Sequence, residues 1–329
     1  MLELPEESSA GPQAVSWTAR HPLAVFFALT FGFGWPLLAV PVLGSRGLVP
    51  GGDVPMELFA LAVTFLVMLP AALWVTASTE GRDGVLSLLA GVFRWRCGAR
   101  WWAVVVLALP VTTAVLALAA GGSLSTADVV SVSIRGVVMA LTAVLVIHLW
   151  EETVWTGFVQ RRLERQHTLF TAALITAVPF AGIHLPLLLI GDFTWPSLLA
   201  DVAGLAGLAA AFRLLVGVFL RVTDSVLAIS VLHAVFNASN NNGGLVDGLL
   251  DGGNHDATAV AAMALVTAVV AMAERIRARK RIPSRPTPWT EGGSADWSNR
   301  VAGCVEQPAM SDTDMCRNTD NRLLTHLGR

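Results

Sequence analysis

Apolar residues in this chain gather into blocks about as long as a bilayer is thick, with short polar or glycine-rich breaks between them. Eight blocks are long enough, or nearly so, to cross a hydrocarbon core that needs about 20 helical residues. They run over roughly residues 22 to 43, 57 to 78, 101 to 120, 132 to 159, 169 to 190, 198 to 219, 225 to 242 and 257 to 273. The breaks carry Gly44, Pro50, Gly51, Gly52 and Pro55, then Gly121 and Gly122, then Gly191 and Pro196, then Gly243 and Gly244, residues that punctuate helices. The pattern predicts an all-α polytopic transmembrane bundle of about eight spans.

The rest of the chain organises around that bundle. Val85 to Phe93 is apolar and is followed by Arg94, Trp95 and Arg96, which reads either as a short interfacial helix with a snorkelling basic end or as an ordinary loop. Residues 1–21 form an N-terminal segment, 22–274 the membrane domain, and 275–329 a basic and then polar tail. After Ile282 aliphatic residues become too few for a core, so a disordered tail is expected. No internal repeat is evident, which weighs against an inverted-repeat transporter.

Composition narrows the class. Hydrophobic residues make up 54% and charged residues 14% of the chain, well below the charged fraction of about a quarter usual in soluble proteins. A net charge of −2 gives no field that favours nucleic acid. Cys97, Cys304 and Cys316 lack the spacing of a disulfide framework or a thiolate zinc site. Tyrosine is absent while tryptophan numbers 11, so Trp must supply any interfacial aromatic belt. The N-terminus, with Glu3, Glu6 and Glu7, is acidic rather than basic, so the first apolar block reads as a retained span rather than a signal peptide. Basic residues flanking the spans set orientation: Arg20, Arg82, Arg94, Arg96, Arg100, Arg161, Arg162, Arg165, Arg221 and the run from Arg275 to Arg281 collect on one side, opposite Arg46 and, at the start of the fourth span, Arg135. An even number of spans with both termini cytoplasmic follows, in a cell membrane.

Ionisable side chains inside the apolar blocks concentrate in spans four to seven: Glu151 and Glu152, His184, Asp201 and Arg213, and His233. Each such charge costs about 2.5 to 3.5 kcal/mol at the bilayer centre even on the lenient insertion scale, so these residues are functional candidates by default. At about 1.5 Å rise per residue, Glu151 lies on the order of 15 Å from Arg161 and His233 on the order of 18 Å from Arg221. His184 lies on the order of 24 Å from Thr168, a figure that a kink at Pro179 shortens. The groups can therefore meet near mid-membrane. His233 and Asn237 share a helix face, as do Phe180 and His184, whereas Glu151 and Glu152 are about 100° apart, so one of the pair can act on substrate while the other supports. His148 sits one turn before them. Asp201 reads as interfacial.

Those side chains suit amide hydrolysis. A carboxylate beside a neutral imidazole can hold and deprotonate a water, worth about 10²- to 10⁴-fold. A second His and an Asn can stabilise an oxyanion, worth about 10²- to 10³-fold per donor. The same groups can instead hold a divalent metal such as zinc, so the sequence leaves open metal dependence or none, with Glu151, His184 and His233 as the ligands if one is used. H-E-x-x-H, G-x-S-x-G and an aspartate pair in a G-x-G-D context are all missing.

In order and spacing the residues resemble the CPBP family, the CAAX prenyl protease and bacteriocin-processing (Abi) proteins, whose motifs are E-E-x-x-x-R, F-x-x-x-H and H-x-x-x-N/B. Here they read Glu151 to Thr156, Phe180 to His184, and His233 to Asn237. The run Arg221-Val222-Thr223-Asp224-Ser225 resembles the R-T-G-S turn found before the third motif. The resemblance covers about residues 130 to 242. It implies an intramembrane endopeptidase acting on a membrane-associated peptide or protein, lipidated or not, with Glu151 and His184 activating water and His233 and Asn237 forming the oxyanion hole. It also implies either a metalloprotease or a glutamate-type protease. One departure stands out: Thr156 occupies the motif's Arg position, so the i to i+4 pair with Glu152 is lost. Arg213 is the candidate replacement cation. Supporting positions are then Glu152, Phe180, Thr156, Arg213 and His148. Competing readings are a proton-coupled transporter that uses the same groups as a relay, and a non-catalytic immunity or scaffold protein.

Overall fold

The computed structural model describes residues 17–49, 55–240, 244–252 and 255–281. The expectations for the acidic N-terminus, for Cys304 and Cys316, for Pro50, Gly51, Gly52 and Gly243, and for the tail from residue 283 lie outside them.

Each of the eight apolar blocks becomes a helix: α1 (Pro22–Ser45), α2 (Met56–Phe93), α3 (Ala99–Ala119), α4 (Val129–Glu164), α5 (Leu169–Leu189), α6 (Trp195–Thr223), α7 (Val226–Asn240) and α8 (His255–Arg281). Seven are long and apolar enough to cross a bilayer, which makes this a multi-pass membrane bundle. The exception is α7, whose 15 residues reach only about 22 Å. Most of its side chains are buried, so it is sheathed by its neighbours. Short helices at Trp17–Arg20 and Leu245–Leu249 and a two-strand ladder pairing Ser123 with Asp251 and Leu124 with Leu250 complete the described fold.

Local chemistry starts these helices where the apolar blocks begin. Pro22 opens α1, a position where its missing N–H costs nothing. Asp128 caps α4 by accepting from the Val130 and Ser131 amides. The Ser131 hydroxyl, followed by those amides, holds the Asp128 carboxyl below its usual range. Thr168 caps α5, and Thr194 with Ser197 forms a reciprocal capping box on α6. At the far end of α6, Asp224 adopts left-handed geometry (φ 49°, ψ 30°). This is the place in the R-T-G-S-like turn where glycine would be at ease. Within α2, Gly81 leaves the helical region (φ 68°, ψ −162°), so the stretch leading to Phe93 is a separate helical arm rather than an irregular loop.

The centre of the bundle is the second half of α4, where Thr153 through Thr156, Phe158, Val159 and Gln160 are all buried. The first half presents Val130, Ile134, Val137, Val138 and Leu141 outward, an apolar surface suited to lipid. Phe26 of α1 packs on both Trp155 (centroids 6.2 Å) and Phe158 (5.0 Å). Loop contacts define two ends of the bundle. Arg46, after α1, donates to the Leu189 and Gly191 carbonyls after α5. Arg94, after α2, and Arg161, at the end of α4, both meet Asp224, after α6. The even-numbered exits thus share one end, as alternating spans require.

Between helices in lipid, packing contacts rather than water exclusion hold the assembly, so a void beside the site helix is costly. Phe26→Ala, at a side chain with no exposure, should destabilise the protein by about 3 kcal/mol, read as a lower melting temperature in detergent with helical content unchanged before the transition.

Candidate functional site

The site is built on a helix that departs from α geometry where its acids sit. Wide π turns over Val144–His148 and Thr153–Gln160 flank the single α turn Leu149–Glu152. Each wide turn holds an extra residue, shifting the side chains that follow around the axis, and such bulges concentrate at functional sites. His148, Glu151, Glu152 and Thr156 are thereby all turned into the bundle and buried.

Glu152 is saturated. Its Oε1 accepts from Arg213 Nη2 (2.6 Å) and His233 Nδ1 (2.8 Å), and its Oε2 from Arg213 Nη1 (3.1 Å) and Thr156 Oγ1 (2.5 Å). A carboxylate offers about four lone-pair sites, so none remains for a substrate. Arg213 and Glu152 have 0% exposed side chains. The guanidinium also touches Thr156 Oγ1 (3.3 Å) and lies 4.2 Å above the Phe180 ring, a cation–π contact strengthened by burial. The cation missing at position 156 thus reaches Glu152 from another helix, with the Thr156 hydroxyl between them.

Glu151 is differently placed. Its Oε2 accepts from His148 Nδ1 (3.2 Å), while its Oε1 faces His184 Nε2 at 3.9 Å and keeps acceptor capacity. His184 Nδ1 donates to the Phe180 carbonyl (2.7 Å), which fixes the tautomer and leaves Nε2 as a lone pair. The same reasoning applies to the other rings. His148 Nδ1–H donates a hydrogen bond to Glu151, and its Nε2 accepts from Asn237 Nδ2 (3.1 Å). His233 Nδ1–H donates a hydrogen bond to Glu152. The His148 and His233 rings stack at 3.9 Å, 24° from parallel. Phe180 meets the His184 ring at 5.0 Å.

A cavity of about 200 Å³ is lined by Phe180, His184, Leu208, Phe212, His233 and Asn237 among others; Glu151 is not in its lining but lies 3.9 Å from His184, which is. A larger apolar groove, about 970 Å³, lies between α5, α6 and α8 and holds none of the motif side chains. Asp201 is exposed, away from the cluster. Among the described residues the set compact enough for a metal is His148, Glu151 and His233, with ligand atoms within 4.8 Å of one another. His148 enters that set in the place the sequence reading gave to His184. The donor chemistry fits: two imidazoles and a carboxylate suit a divalent ion, with Glu152 as the carboxylate behind His233.

Two members were under-weighted or missed in the sequence. His148, read as a supporting position, joins Glu151 to Asn237. Gln160 is wholly buried and its Nε2 donates to Glu164 Oε1 (3.1 Å) and the Arg213 carbonyl (3.4 Å). The signal was its spacing, four residues after Thr156 on the same helix.

Residues 132–239 match the family model described as type II CAAX prenyl endopeptidase Rce1-like, which bears out the resemblance over the segment that carries the motifs. A comparison with curated proteins finds no match.

Breaking a buried ion pair strands a charge, at a cost of about 3 to 5 kcal/mol. Arg213→Ala should therefore lower the yield of folded protein sharply. Adding Thr156→Arg, which restores a cation one turn from Glu152, should recover folding. Recovery measured by melting temperature in detergent checks that Arg213 and position 156 serve the same carboxylate.

Proposed function

We propose that the chain is an intramembrane endopeptidase that hydrolyses a peptide bond of a membrane-associated peptide or protein. The observation that carries this reading is the 3.9 Å gap between the free oxygen of Glu151 and the lone pair of His184 Nε2, beside a cavity bordered by His233 and Asn237. One water fits within hydrogen-bond reach of both groups.

In this mechanism Glu151 Oε1 takes a proton from that water while His184 Nε2 accepts the other hydrogen bond and aims the oxygen. The hydroxide adds to the scissile carbonyl, and Glu151 then passes its proton to the leaving amine. Asn237 spends one N–H on His148 and has the second for the oxyanion. His233 keeps its proton on Nδ1, hydrogen-bonded to Glu152, so Nε2 donates to an oxyanion only as the imidazolium. As the neutral ring it is a ligand. That dichotomy separates the glutamate-type from the metal-dependent version. In the latter, His148, Glu151 and His233 hold a divalent ion such as zinc, which when bound supplies Lewis-acid polarisation and a more acidic water. Glu152, Arg213, Thr156 and Phe180 position His233 and α4. Both termini lie on the cytoplasmic side in this reading, with residues 130–242 as the core of a 22–274 membrane domain. The absence of an Arg at position 156 favoured a non-catalytic scaffold, and the Arg213 pair to Glu152 removes that ground.

Glu151→Gln and His184→Ala should each cut cleavage of a membrane-tethered reporter peptide by about 10²- to 10⁴-fold, with melting temperature preserved. Assaying the reporter with and without a prenyl group tests the lipid requirement. Proton-gradient-dependent flux with no cleaved product would point to a transporter, and undiminished biological function of both variants to a scaffold. Asn237→Ala should cost about 10²- to 10³-fold in kcat. For the metal-dependent version, purified protein should carry about one zinc per chain by elemental analysis, lost in His233→Ala.

A further inference from the structure

The bundle end that gathers the even-numbered exits holds a polar cavity of about 90 Å³, remote from the proposed active site and lined by Glu80, Ser87, Arg94, Arg161, Arg162 and Arg165 among others. Four guanidinium groups converge on it from the arm of α2 and the end of α4. Two carboxylates answer them. Glu80 pairs with Arg162 and, at 3.8 Å, with Arg165. Asp224 pairs with Arg94 and, at 2.8 Å, with Arg161. A positive excess remains, and it survives when Glu164, whose field reaches Arg161, is counted. The donors are not fully spent either: Arg161 Nε is buried and has no acceptor, and buried donors without acceptors are rare enough to call for one. The mouth is open, with Arg165 65% exposed. Phe93 and Trp95 beside Arg94 are also exposed, as aromatic residues are where spans meet headgroups.

We propose that this cavity binds a phosphate group, presented by an anionic phospholipid headgroup or by a soluble phosphate. Planar guanidinium forks match phosphate oxygens two at a time, and the excess charge of the cluster is opposite in sign to a phosphodiester. Asp224 is the internal competitor. Its carboxylate occupies two of the four arginines, and its left-handed backbone (φ 49°) is one that glycine adopts freely. The Asp224 site therefore offers a gain-of-binding change that leaves the turn intact.

The experiment is thermal unfolding of the full-length protein in neutral detergent, titrated with phosphatidylglycerol, phosphatidylcholine or inorganic phosphate, for wild type, Asp224→Gly and Arg165→Gln. Phosphatidylglycerol should raise the midpoint of the wild type, Asp224→Gly should reach the same shift at several-fold lower lipid, and Arg165→Gln should need several-fold more. Arg165 is surface-exposed and weakly paired, so that variant folds even where a more buried arginine change would not. A matching response to inorganic phosphate assigns the ligand to a soluble source, whereas a response to phosphatidylglycerol alone assigns it to the bilayer. No shift with any ligand, an equal shift with phosphatidylcholine, or unchanged titrations in both variants overturns the proposal.

Discussion

A carboxylate with no exposure to solvent, Glu152, is the constraint on which the rest of the structure depends. Burying an ionised acid in a bundle surrounded by hydrocarbon is tolerable only if every lone pair is used and the charge is matched. Arg213 from α6, Thr156 from its own helix and His233 from α7 meet that requirement together. Three helices are thereby locked in register at one point. A helix sliding by a single turn would strand a charge.

That lock sets the chemistry next to it. Because Glu152 accepts a hydrogen bond from His233 Nδ1–H, the orientation and tautomer of that ring are fixed, and the His148 ring stacks against it at 3.9 Å. His148 in turn holds Glu151 and Asn237. Glu151 and Asn237, members of the proposed site, are therefore linked to Glu152 through a short chain of hydrogen bonds and one ring stack. Two adjacent glutamates divide the labour: one saturated and immobile, the other with an oxygen to spare toward His184. Both acids sit in the regular turn Leu149–Glu152, where neighbouring residues point about 100° apart, so each carboxylate meets a different set of partners.

The opposite arrangement holds at the arginine-rich end of the bundle. There the carboxylates, Glu80 and Asp224, are part-exposed and fewer than the cations they meet. Exposed pairs such as those of Asp224 contribute little to stability, which leaves their arginines free to exchange an internal partner for an external one. Charge is locked where the bundle is closed and exchangeable where it meets the interface.

The sequence by itself determined the number and kind of elements. Apolar runs of bilayer length have few alternatives to helices, because unpaired backbone groups are too costly in lipid. It also determined which helices carry the candidate site, since the cost of intramembrane charge makes Glu151, His184, Arg213 and His233 conspicuous in an otherwise apolar run. What only the tertiary structure decided was partnership. That Arg213, 57 positions from Thr156, supplies the missing cation depends on how α6 lies against α4. Which glutamate is saturated, and that His148 rather than His184 completes the compact ligand set, depends on how the neighbouring helices are set against α4. The π turns of α4 likewise arise where packing and polar contacts outweigh one regular hydrogen bond, a balance set by neighbouring helices and not written in any local pattern of residues.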